Sequence, residues 1–252
     1  MKLLTKAHQE FDILCRTHNF VCRGNAFFRI NGDGVLQFMK IEKDTHWPAY
    51  DISFGMLSMY DELNRDYFTS GGCMDRYLVA IFMGQRGAVY LEKVGDIYES
   101  RILSLDSQVG VLEKTVIPFL NDIKTQAQLA EALCTLDKLA YHKILWNDIF
   151  KFAPFLASSD FDAAQRVIQT ILDQHEQVAE INRGKMSDQE FVKYHSSMQE
   201  RLRPIIHKQE IIRKEDKKDI DQYLQDNYAR NLFYAKFLYK DMPSGNNSNS
   251  KE

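Results

Sequence analysis

Several features that mark secreted, membrane or catalytic proteins are missing from this sequence. Its longest apolar runs, such as Tyr77 to Met83, fall far short of the roughly 20 residues a membrane span needs. Lys6 and Glu10 interrupt the opening stretch MKLLTKAHQEFDILCRTHNF, which therefore lacks the unbroken apolar segment of a secretory signal. A mature chain starting at Met1 and working in the cytoplasm is the expectation. Charge of one sign is not in excess either: 32 Lys and Arg face 35 Asp and Glu, a net charge of -3, which disfavours general nucleic-acid binding. The four cysteines, Cys15, Cys22, Cys73 and Cys134, are dispersed and form no C-x-x-C pair. They are expected to be separate reduced thiols, with no metal site built on them. Neither G-x-x-x-x-G-K-[ST] nor G-x-G-x-x-G occurs, so nothing supports nucleotide hydrolysis, and no cofactor is expected.

What is present suits a folded chain of 252 residues with 44% hydrophobic side chains. Leu3, Leu4, Ala7, Phe11 and Leu14 recur at steps of three and four, which predicts an amphipathic helix ending near His18. The period then changes. AFFRI and VLQFMKIEK flank Asn31-Gly-Asp-Gly34, the pattern of a β-hairpin. Ala49 to Met59, RYLVAIF and GAVYLEKV supply further strands. These elements predict an antiparallel sheet with a helix on one face.

From about Leu105 the sequence turns helical. Thr125 with Gln128, Ser159 with Asp162, and Ser187 with Glu190 have the spacing of helix N-caps. Helices are predicted over 109–123, 126–141, 147–157, 160–181, 188–209 and 217–239, with Pro118 and Pro204 as disruptions. In the last of these, Tyr223, Leu224, Tyr228, Leu232, Ala235 and Leu238 form the expected apolar stripe. The mixed-charge run KQEIIRKEDKKD is expected to be solvated surface. The organisation is thus α+β: a helix-backed sheet in residues 1–100, a helical region in 101–240, and a tail, 241–252, too polar to order itself.

For chemistry, FTSGGCMDRY stands out. Gly71 and Gly72 permit unusual backbone geometry beside Cys73, Asp75 and Arg76, and a GQRG turn follows with Gln85 and Arg86. A nucleophilic Cys73 lacks a histidine nearby in sequence, so a tight turn with a partly buried thiol is the preferred reading. Arg29, Arg76 and Arg86 sit at structurally marked places. Converging guanidinium forks would bind an anion or a partner's carboxylates, whereas separate ion pairs with Asp33, Asp51 or Asp75 would be structural. Within its strand Arg29 should share a face with Phe27 and oppose Phe28 and Ile30. Asp61 and Glu62 are expected at the solvated surface.

The order of an N-terminal helix, NFVCRGNAFFRINGDGVLQFMKIEK, YDISFGMLSMY, FTSGGCMDRY and GQRG resembles an uncharacterised bacterial domain-of-unknown-function family. Gly24, Phe27 and Arg29 match its G-x-x-F-x-R strand; Gly71, Gly72, Arg76, Gln85 and Arg86 match a narrower set of relatives. The resemblance covers roughly the first 100 residues. It implies a cytoplasmic bacterial α+β protein and lends no activity, cofactor or catalytic residue.

Two functional expectations result. The leading one is a non-catalytic protein-interaction module, an immunity or accessory protein, using aromatic contact surfaces drawn from 16 Phe and 12 Tyr. Its alternative is a small-anion binder or enzyme with an arginine-lined pocket around Arg29, Asp75, Arg76 and Arg86.

Overall fold

The computed structural model describes residues 3–23, 26–43, 50–63, 65–69, 77–82, 88–90, 112–137, 148–214 and 216–239. Helix α1 (Leu3–Thr17) leads into six strands: β1 (Val21–Arg23), β2 (Ala26–Asn31), β3 (Val35–Lys43), β4 (Tyr50–Ser58), β5 (Tyr77–Phe82) and β6 (Ala88–Tyr90). All neighbours are antiparallel and follow chain order, so the sheet is a meander. A short helix, α2 (Asp66–Thr69), lies between β4 and β5. The described residues after β6 form helices: a π-helical turn (Leu112–Val116) running into α3 (Ile117–Asp122), α4 (Gln126–Asp137), a 3-10 turn (Asp148–Lys151) running into α5 (Phe152–Ala157), α6 (Phe161–Arg183), α7 (Asp188–Arg213) and α8 (Lys217–Tyr239). This is the α+β class that the sequence patterns predict.

The β2–β3 hairpin forms at the Asn-Gly-Asp-Gly stretch, with Asn31 paired to Val35 across the turn. Gly32 and Gly34 both take positive φ there, a conformation costly to side chains bearing a Cβ. The turn docks on the loop after α3. Asp33 N–H donates to the Lys124 carbonyl at 2.6 Å, and a Cβ built on Gly32 would collide with that same oxygen.

The sheet is covered on both faces, where the sequence led us to expect a helix on one. On one face Phe27, Val35, Met39, Phe54 and Met56 pack with α1, α3 and α4 through Phe11, Leu14, Leu120, Leu129 and Leu133. On the other, Ala26, Phe28, Leu36, Phe38 and Leu57 pack with Phe68 of α2, Phe150 and Ala235 of α8. Double coverage explains why AFF and FGMLSM are nearly continuous apolar runs: a strand buried on both sides has no face that must be polar.

Beyond this body, α6 and α7 form an antiparallel hairpin. Its root packs through Ala164, Ile168, Ile211 and Ile212 onto Phe152 and Leu156 of α5 and Ile220 and Leu224 of α8. Its outer half is held by a smaller cluster drawn from α6 and α7 alone, centred on Ala179, Met198 and Leu202. Between residues 173 and 197 Ala179 is the one buried residue. Pro204 does not break α7, which runs through it. Both Pro204 and Glu200, whose carbonyl loses its usual partner, are exposed, so water can satisfy that carbonyl. The cap of α6 is Asp160, whose carboxylate accepts from Ala163 N–H, rather than Ser159, which takes a left-handed conformation before it. Thr125 and Ser187 do stand at capping boxes, with Gln128 and Glu190 reaching back to their backbone N–H groups.

Candidate functional site

Arg29 is central to the sequence-predicted site, and it shares the Phe27 face as expected. Its guanidinium is directed into the fold. Nε donates to Oε1 of Gln37, its cross-strand partner, at 2.7 Å. The two terminal nitrogens donate to the His18 carbonyl at 3.0 Å and to Asn121 Oδ1 at 2.7 Å. The Phe20 ring lies 4.4 Å from the guanidinium carbon, in cation–π range. Burial pushes the Arg29 pKa down. The carboxylate of Asp33, a suggested partner, instead accepts from the Tyr60 hydroxyl at 2.8 Å. Arg29 thus ties together α1, β2, β3 and α3. Gln37 extends the clamp by donating to the Leu120 and Ile123 carbonyls at the C-terminal end of α3, where helix carbonyls lack intrahelical partners.

Gly71, Gly72, Asp75, Arg76, Gln85 and Arg86 lie outside the described residues, as does Cys73. Arg29 is therefore the single member of the predicted arginine set whose surroundings are defined. Among the described residues Cys15, Cys22 and Cys134 are not in disulfides, and burial pushes the Cys15 thiol far up, away from the reactive thiolate.

Sequence reasoning missed a second polar centre. Asp61, expected at the surface, is 4% exposed, and Lys208, expected in a solvated charge run, is 3% exposed. Lys208 Nζ donates to Asp61 Oδ1 and to the Tyr223 hydroxyl, each at 2.9 Å, and lies 3.6 Å from Glu62 Oε2. Phe152 and Tyr223 rings flank the ammonium at 5.1 and 5.6 Å. Burial acts against the charge on Lys208, but Asp61, Tyr223 and Glu62 outweigh it, so its pKa is raised. Burial also raises the Tyr223 phenol. This centre joins the turn after β4 to α7 and α8. Beside it, Asn231 donates to the Met59 and Asp61 carbonyls at 2.8 and 2.7 Å. The buried stripe of α8 is accordingly Ile220, Leu224, Asn227, Asn231 and Ala235, whereas Leu232, expected inside, is exposed. A buried lysine and aspartate 147 positions apart leave no local signal in the sequence.

A cleft of about 490 Å³ opens at the root of the hairpin, between Phe161 and Asp162 at the start of α6, Ile212 at the end of α7, and Lys217 and Ile220 at the start of α8. Its floor is apolar and its charged groups are exposed. Among the described residues no group of three or more His, Cys, Asp or Glu side chains is placed to hold a metal ion, and no helix is long and apolar enough to cross a membrane. No protein-family model, curated protein or solved structure matches the chain.

Exposed large apolar side chains stand on α1 (Ile13), at the start of α6 (Phe161) and on α8 (Leu232 and Phe233), and four more stand on the outer half of the α6–α7 hairpin. Val178 is 47% exposed, Ile181 58%, Met186 36% and Val192 63%. Arg183 reaches over the Phe191 ring at 5.7 Å, holding the two helices together near the turn. The outer half of the hairpin therefore combines a helical backbone with exposed apolar side chains and flanking charge.

Proposed function

We propose that this chain is a non-catalytic protein-interaction module and that the outer half of the α6–α7 hairpin is its contact element. The observation that supports this reading is the exposure of Val178, Ile181, Met186 and Val192 on a stretch where Ala179 alone is buried. Isolated exposed apolar residues are ordinary, but several on one projecting element favour a binding role. Aliphatic groups in that position gain from desolvation by a partner, and Asp188, Glu190, Lys193 and Arg183 around them offer a charged rim. Both sheet faces are already occupied by helices, which favours the hairpin over the sheet as a contact surface. An immunity or accessory role in a bacterial cytoplasm fits such a module.

The test is a pull-down with the tagged full chain from host lysate at near-physiological salt, quantified by mass spectrometry. A Val178→Ser/Ile181→Ser/Val192→Ser variant is run in parallel. A stoichiometric partner that the variant loses by tenfold or more is the expected result. Equal recovery of that partner by both chains would refute the hairpin as the contact element.

A further inference from the structure

Two asparagines on α8, Asn227 and Asn231, stand one helical turn apart on the same face and are almost completely enclosed. Bonds already made fix the orientation of each amide. Asn231 Nδ2 donates to the Met59 and Asp61 carbonyls, which uses both of its N–H groups and leaves Oδ1 as an acceptor. Asn227 Oδ1 accepts from an Arg230 terminal nitrogen at 2.8 Å, which leaves Nδ2 as a donor. Neither Asn227 Nδ2 nor Asn231 Oδ1 has a hydrogen-bond partner among the described residues. Flipping the Asn231 amide would set its oxygen against two carbonyls. Flipping the Asn227 amide would set its N–H groups against a guanidinium.

We infer that Asn227 and Asn231 hold one buried water molecule, which accepts from Asn227 Nδ2–H and donates to Asn231 Oδ1. Buried polar groups in native proteins are nearly always paired, and interior waters typically bridge two to four of them. The occupant must accept on one side and donate on the other. A metal cation fails at Asn227, where it meets an N–H donor, and an inorganic anion fails at Asn231, where it meets an acceptor. Water satisfies both. The bridge continues the polar seam of Tyr223, Lys208 and Asp61 along α8, so Tyr223, Asn227 and Asn231 tie three successive turns of that helix to the turn after β4.

The deciding experiment is a crystal structure of the full chain at a resolution that shows ordered water, paired with NMR magnetisation transfer from water to the Asn227 side-chain amide. A density peak within hydrogen-bonding distance of both atoms is expected, with a transfer signal of the sign given by a long-lived water. A direct Asn227–Asn231 bond would overturn the inference, as would an unfilled site with no transfer signal. In an Asn227→Leu variant the density is expected to disappear. The wild-type chain decides the question by itself, so a variant that fails to fold does not weaken the test.

Discussion

The sheet body and the hairpin arm are built from the same chain on opposite terms. In the body, Phe11, Phe20, Phe27, Phe28, Phe38, Phe54 and Phe68 are fully buried, and helices close both sides of the sheet. In the outer arm, a cluster of Ala179, Met198 and Leu202 with a few half-buried neighbours has to hold two helices together. The body can lose exposed groups with little effect because its stability comes from enclosed apolar area. The arm buries little, so its conformation depends on its root and on whatever it contacts. Low local stability is common in elements that bind.

The comparison is broken most severely at the polar centre joining the two parts. Lys208→Ala leaves Asp61 buried without its partner and is expected to cost about 3–5 kcal/mol, read as a lower denaturant midpoint. Asp61→Leu combined with Lys208→Met should recover most of that loss, because two buried charges then leave together. Arg29→Lys follows: one ammonium cannot reproduce a fork spread over Gln37, His18 and Asn121, and a loss of about 1.5–3 kcal/mol is expected by the same measurement. Gly32→Ala should cost at least about 1–2 kcal/mol from its positive φ alone, and more from the contact with the Lys124 carbonyl. At the arm tip, Ile181→Ser and Val192→Ser are expected to change stability by no more than about 0.5 kcal/mol. Amide exchange sharpens the contrast, with residues 173–197 expected to exchange well before β2 and β3. Equal protection of arm and sheet would remove the distinction between them.

Alkaline pH tests the same joint without mutation. The Lys208 pKa is raised in the fold, so the contribution of this lysine is complete below its unfolded value of about 10.4 and is lost as pH rises through the higher folded value. Tyr223, also raised, acts in the same direction. Denaturant midpoints should therefore fall above about pH 10, and less steeply in the Asp61→Leu/Lys208→Met chain. An unchanged slope in that chain would show that other groups cause the fall.

What the sequence disclosed was local. The Asn-Gly-Asp-Gly turn, the α1 stripe and the capping boxes at Thr125 and Ser187 are written in neighbouring residues, and each element forms where its pattern lies. Strand β1, three residues long, is too short to show a period. Double coverage of the sheet was legible in the continuous apolar runs of β2 and β4, but alternation was expected there because antiparallel sheets often keep one wet face. Arg29 could be placed on its face by counting, yet its partners lie on three other elements that counting does not bring together. Asp61 and Lys208 look like surface residues because each sits among other charges; only the tertiary fold selects that pair for burial.

The start of α6, the end of α7 and the start of α8 meet at one cleft, so the arm leaves the body and returns to it at the same point. The length of the arm is consequently a free parameter of the fold. Deleting two helical turns, seven residues, from each of α6 and α7 would shorten its reach by about 10 Å while the body keeps every contact described for it. A chain with this connectivity can be matched to partners at different distances by insertion or deletion near a single turn, with no redesign of its core.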